Sequence, residues 1–420
     1  MTTAIVNATL IDGTGAGPVE HATLIVEGGR IEKVGPRIDP PRDAEVIDAH
    51  GATLMPGLID SHVHFLSWPA SMQESVLTAP SLRLFRGAKN ALDTLDAGIT
   101  SVRDASGTPA GLKAALERGL IHGPRTKISV SALSESGGHG DSTMPSGNRI
   151  TRYTGPEYPE TVVDGPHEVR KAVRLLLRAG ADFIKLCSTG GVLSPADEPT
   201  HTQFTTEEIA VMVHEAAAHG KTCMAHAQGN QGVKNAVYAG VESIEHGIWL
   251  DDEVIAAMKE RNTFLVPTLV APVWVLRREE RNPGSVLPMA VRKTKEVIDI
   301  HQASFRQAVE SGVRIAMGTD SGVGEHGSNA EELAFMVENG MTPMQAIVAS
   351  TKVAAECIHD DRNVGTLEAG KLADLLLVDG SPLDDIRLLS DRARLLTIMQ
   401  GSYLHKNLLG SSKAAPTAVK

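Results

Sequence analysis

The sequence predicts an α/β protein, a (β/α)8 TIM barrel with a small β-sandwich domain built from both chain ends. Three observations predict it. Eight short apolar segments within residues 58–318 alternate with stretches of helical period. Strand-like runs divided by Gly-rich turns fill residues 2–54, and similar runs return after residue 370. Finally, 42% of the 420 residues are hydrophobic but only 3% aromatic, which suits closely packed α/β layers in a large barrel plus an accessory domain.

Taken in order, the run Ala4–Ile11 stops at Asp12-Gly13-Thr14-Gly15, and two further runs joined by Gly28-Gly29 read as a hairpin. The barrel strands are expected at 58–62, 99–103, 126–131, 182–187, 222–226, 243–246, 264–267 and 314–318. Among the helices, residues 170–179 present Val173, Leu176 and Leu177 on one face and stop at Gly180. Thr205-Thr206-Glu207-Glu208 carries a capping box, and Gly220 ends that helix. Residues 134–166, rich in Gly, Ser, Pro and Asp, are expected as a long loop on the active-site face. A helix is expected near 342–355, then strands at 370–379 and 395–400. The expected division is 1–54 and 358–409 for the two halves of the β domain, 55–357 for the barrel, and 410–420 for a mobile tail.

The net charge of −11 and the lack of basic runs argue against nucleic acid and anionic membranes as partners. No apolar run reaches the length of a membrane span. The first ten residues show no basic segment followed by an apolar one, so a cytoplasmic location is expected, although a chain that had lost a leader would read the same. Three sparse cysteines form no disulfide framework, and Cys187 and Cys223 read as small buried hydrophobes.

Chemistry is expected at the ends of the barrel strands. The first strand ends in Asp60-Ser61-His62-Val63-His64, whose alternate side chains share a face. Lys185, His226 and His246 end the fourth, fifth and sixth strands, and Asp320 follows the eighth. An inward lysine on an apolar strand costs free energy as a cation. A neutral amine, a salt bridge, or an anionic carbamate formed with CO2 would each resolve it. Four imidazoles and an aspartate exceed what one tetrahedral metal takes. They fit two metals joined by a bridging carbamate and hydroxide.

These motifs resemble the amidohydrolase superfamily, in its binuclear branch with a carboxylated lysine. The resemblance rests on Pro56-Gly57-Leu58-Ile59-Asp60-x-His62-x-His64, Lys185, His226, His246, Gly318-Thr319-Asp320 and the return at Gly365–Leu375. It implies two divalent metal ions, expected as zinc, with His62, His64 and Asp320 on one, His226 and His246 on the other, and Lys185 bridging. Ser134–Asp141, Ser188–Val192 and Tyr238-Ala239-Gly240 resemble the branch of Xaa-Pro dipeptidases, carboxypeptidase-like enzymes and ochratoxin A amidohydrolases. That likeness implies a dipeptide or N-acyl amino acid substrate and a homo-oligomer, with octamers among relatives. In the expected mechanism a metal-bridged hydroxide attacks the amide, Asp320 shuttles the proton, and His139 or Tyr238 polarises the carbonyl. His326 is weighed between facing substrate and lying on an exposed loop. Arg149 and Arg152 are available for a substrate carboxylate but are not assigned to the site. The rival readings are a cyclic amidohydrolase of imidazolone, hydantoin or triazine type, and a non-catalytic barrel scaffold. Lys185 disfavours a single-metal deaminase.

Overall fold

The computed structural model describes residues 2–144, 146–149 and 155–413. The chain forms two compact units: Met1–Asp60 with Asp93–Ser101 and Gly327–Lys420, and Ser61–Leu92 with Val102–His326.

The chain opens with β1 (Thr2–Leu10), β2 (Val19–Glu27), β3 (Arg30–Pro36), β4 (Glu45–Asp48) and β5 (Thr53–Pro56). Gly28 and Gly29 turn the β2–β3 hairpin at φ 58° and 78°, which a side chain would strain. The barrel strands are β6 (Leu58–Val63), β7 (Ile99–Asp104), β8 (Arg125–Ile128), β9 (Ala132–Leu133), β10 (Ile184–Cys187), β11 (Cys223–Ala227), β12 (Ser243–His246) and β13 (Phe264–Val266). They run in two arcs, β6-β7-β8 and β9-β10-β11-β12-β13. The C-terminal strands are β14 (Leu375–Val378), β15 (Leu395–Gln400), β16 (Tyr403–Asn407) and β17 (Ser412–Lys413). Both chain ends merge in one nine-stranded sheet, where β5 pairs antiparallel with β14 and β17 with β4. Ile5, Leu24, Ile47, Leu54, Leu375 and Leu377 form its core. The tail expected to be mobile thus begins with a paired strand, and residues 414–420 lie outside the described ones.

Three elements differ from expectation, each for a local reason. The third barrel strand is broken, because Val130 takes the left-handed region at φ 68°. Its first half belongs with β7 and its second pairs with β10. The eighth segment is not a regular strand. It closes the barrel through Ser61 N–H to Met317 O, Asp320 N–H to His62 O, and Leu265 N–H to Arg314 O, at 2.8–2.9 Å. The helix expected near 342–355 is two helices, Pro343–Ala349 and Lys352–Cys357. Between them the hydroxyls of Ser350 and Thr351 donate back to Ile347 O, competing with the helix ladder. The helices Gly165–Arg178 and Thr206–Ala217 form as expected, the latter with its capping box intact.

Closure at the eighth segment demands glycine at 318. A Cβ there would sit 2.3 Å from Val266 Cγ1 and 3.0 Å from His62 Cβ. Gly318→Ala is therefore expected to destabilise the protein by about 1–3 kcal/mol. Denaturant unfolding of the variant checks this, and an unchanged midpoint would refute it.

Candidate active site

The C-terminal ends of the barrel strands surround a cavity of about 290 Å³. His62, His64, His139, Lys185, His226, His246 and Asp320 all line it. His62, His246 and Asp320 offer atoms within 4.8 Å of one another, close enough to hold a metal ion. Asp320 Oδ1 lies 3.1 Å from His64 Nε2 and 3.5 Å from His62 Nε2. Asp320 (φ 61°) and His246 (φ 70°) are non-glycine residues in the left-handed region, a strain that packed surroundings must hold.

Each of the four imidazoles is fastened by one ring nitrogen. His62 Nδ1–H donates to Glu245 Oε2 (2.6 Å), and His64 Nδ1–H to Ser106 O (3.0 Å). His226 Nε2–H donates to Gly190 O (3.0 Å), and His246 Nδ1 meets the Thr268 hydroxyl (2.7 Å). These bonds leave Nε2 of His62, His64 and His246 and Nδ1 of His226 for the cavity, the arrangement metal-binding histidines need. Burial pushes His62, His226 and His246 well below the usual imidazole pKa, so they stay neutral with a lone pair to give. Burial alone would also lower His64, but its hydrogen bond to Asp320 and that carboxylate's charge raise it. Asp320 is lowered: burial opposes ionisation, and the hydrogen bond to His64 with the charges around it prevails.

Lys185 Nζ is buried with no hydrogen-bond partner among the described residues, and burial lowers its pKa. Only the neutral form of an amine reacts with CO2, and the burial that lowers Lys185 favours that form. The donor set therefore fits a divalent metal ion.

His139 stacks on His226 with ring centroids 4.0 Å apart. Its Nδ1 lies 2.8 Å from Ser194 Oγ, which in turn bonds Asp197 Oδ1. A carboxylate only accepts, so the single hydroxyl proton points to Asp197. Ser194 Oγ then accepts from His139 Nδ1–H. Neutral His139 thus carries a bare Nε2, and Nε2 can donate to a carbonyl only in the charged form.

Tyr238 does not join the site. It is 43% exposed on the helix Asn230–Ala239, and its hydroxyl donates to Glu253 Oε1 at 3.1 Å. Contrary to expectation, Tyr238 is thus not placed to polarise the carbonyl. His326 is buried and bonds the carbonyls of His64 and Ser67, so it is not an exposed loop residue. Arg149 pairs with Glu160, and Arg152 lies outside the described residues. Sequence reasoning also missed residues that matter here. Glu245 accepts from Arg103 Nη2 (3.0 Å) and Ser243 Oγ (2.6 Å) as well as from His62. His301, given no role, lines the cavity and bonds His246 O at 3.0 Å. Gln228 lines the cavity too. Two charges inside apolar strands, Arg103 and Glu245, were the available signal for the first of these.

The amidohydrolase family model matches residues 53–403. The chain belongs to the amidohydrolase family. It is 34% identical to an ochratoxinase from Aspergillus niger, over 96% of this chain and 86% of that protein. It is 25% identical to an imidazolonepropionase from a Geobacillus species, over 86% of this chain and 84% of that one. The fold superposes on the crystal structure of a Xaa-Pro dipeptidase with methionine bound in its active site at TM-score 0.90, with 34% identity, covering 97% of this chain and all of that one. The protein is a hydrolase of amide bonds, and no helix among its described residues is long and apolar enough to cross a membrane.

Three outcomes follow for this site. Glu245→Gln, which weakens the hold on His62, is expected to lower metal affinity about 10–100-fold, measured by competition with a chelator. Tyr238→Phe is expected to leave turnover within about twofold, since a hydroxyl directed at Glu253 takes no part. His301, pushed down to about 4 by burial, is neutral when folded, so the unfolded chain binds more protons between about pH 6.5 and 4. Its share of the metal-free protein's stability, roughly 3 kcal/mol, is present above that window and lost as pH falls through it. Chemical denaturation across this range should show a shallower slope for His301→Gln than for wild type.

Proposed function

We propose that the protein is a binuclear metal-dependent amidohydrolase that cleaves linear amides, releasing the amino acid from a Xaa-Pro-type dipeptide or from an N-acyl amino acid such as ochratoxin A. The observation that carries this reading is Lys185, a buried and unpartnered amine in a cavity shared with four oriented imidazoles and Asp320. The likeness to an ochratoxinase and to a Xaa-Pro dipeptidase, each at 34% identity, supports linear over cyclic substrates, because the imidazolonepropionase likeness is 25%.

His62, His64 and Asp320 would hold one divalent ion, His226 and His246 the other, with a carbamate on Lys185 between them; zinc suits these donors. Once bound, the ions supply Lewis acidity and a hydroxide near neutral pH. Asp320, held ionised by its neighbours, takes the nucleophile's proton and delivers it to the leaving nitrogen. His139 offers Nε2 to the substrate. When it donates there as an imidazolium, Asp197 is its counter-charge through Ser194. The strands of both chain ends pair in one nine-stranded sheet, and a homo-oligomer is the expected assembly.

The test is amino-acid release by zinc-loaded enzyme in bicarbonate, followed by mass spectrometry. Xaa-Pro dipeptides, N-acyl amino acids including ochratoxin A, and hydantoins form the panel. Release from the linear amides is expected. Asp320→Asn should lower kcat by at least roughly 10³-fold, given the scale of a lost proton shuttle and a lost ligand. Turnover confined to the cyclic amides would sink the reading.

A further inference from the structure

Gln228 stands two residues beyond His226, just past the end of β11. Its backbone is fully engaged: N–H donates to Thr189 Oγ1 (2.9 Å), and the carbonyl accepts from Trp249 N–H (2.9 Å). The side chain is 6% exposed and lines the cavity. Yet its carboxamide makes no hydrogen bond to any described residue: Oε1 is enclosed without a partner, while the Nε2 hydrogens, on the atom that is not enclosed, are also unpaired. A buried amide left unpaired costs free energy and needs an explanation. The backbone bonds fix where this side chain starts, and the cavity is where it ends. Neither the metal set nor the His139–Ser194–Asp197 chain uses it.

We propose that Gln228 is a substrate-recognition residue, whose unpaired Nε2–H donates a hydrogen bond to an sp2 oxygen of the bound amide. The inference rests on the linear-amide reading above. Two substrate oxygens share this chemistry, the carbonyl of the amide and the free carboxylate of the amino acid released. An uncharged donor placed beside the histidines would orient the substrate and add no charge to a cavity meant for cations. A site built to pair a polar group discriminates strongly against substrates that lack it.

The test compares zinc-loaded wild type with Gln228→Met, which keeps the volume and deletes the amide. It uses an N-acyl amino acid and its C-terminal carboxamide. The variant's kcat/KM should fall about 10–100-fold, while its melting temperature and bound zinc stay unchanged or rise, because an unsatisfied buried group has been removed. Gln228→Asn should recover part of the loss. An equal fall for both substrates assigns the bond to the amide carbonyl, and a fall for the free acid alone assigns it to the carboxylate. Unchanged kcat/KM with either substrate overturns the proposal, as does a lower melting temperature with unchanged activity, which would mark a structural role. Failure of wild type to cleave either substrate would count against the linear-amide reading, a different result from the loss of the Gln228 effect.

Discussion

Glu245 is the residue on which the rest of the site depends. It is completely buried at the end of β12, a position an isolated carboxylate could not hold. Arg103 neutralises it, Ser243 donates to it, and His62 uses its remaining oxygen. The guanidinium is itself anchored to Ser61 O at 2.9 Å. One ion pair therefore ties β6, β7 and β12 together and fixes His62 at the same time. Removing either partner would strand a charge, which costs far more than the pair contributes.

The same logic extends round the cavity. Each histidine turns one nitrogen outward to an oxygen and is thereby told which lone pair to present. None of these partners is a metal ligand, and three of them are backbone carbonyls or a threonine hydroxyl. The chemistry is carried by few residue types, but its precision comes from backbone placed by the barrel. That placement includes uncommon φ values at His246, Thr268 and Asp320.

Much of this was legible in the sequence, and what failed did so for identifiable reasons. The histidines, Lys185 and Asp320 could be read because each ends or follows an apolar strand, and strand ends meet in a barrel. Glu245 and Arg103 were passed over because a charge inside a buried strand looks like an exception until its partner is known, and 142 positions separate these two: pairing across β7 and β12 is a tertiary fact. Tyr238 was misassigned because helix Asn230–Ala239 has two faces, and sequence position did not say which one met the barrel. Gln228, ten residues earlier, obeyed the strand-end rule and was ignored because an amide has no titration to draw the eye. The broken strand at Val130 was hidden because a β-branched residue seldom adopts positive φ, so local propensity pointed the wrong way.

The pairing of β5 with β14 has a consequence for synthesis. Pro56 and Leu375 are partners in that ladder, although hundreds of residues separate them in the chain. At ribosomal speeds the interval between making one strand and the other is roughly 15–65 s. Throughout it, β5 presents an uncovered apolar edge on the nascent chain, the kind of edge that recruits unwanted strands. The N-terminal sheet thus cannot extend past β5 until the chain beyond residue 375 has been made.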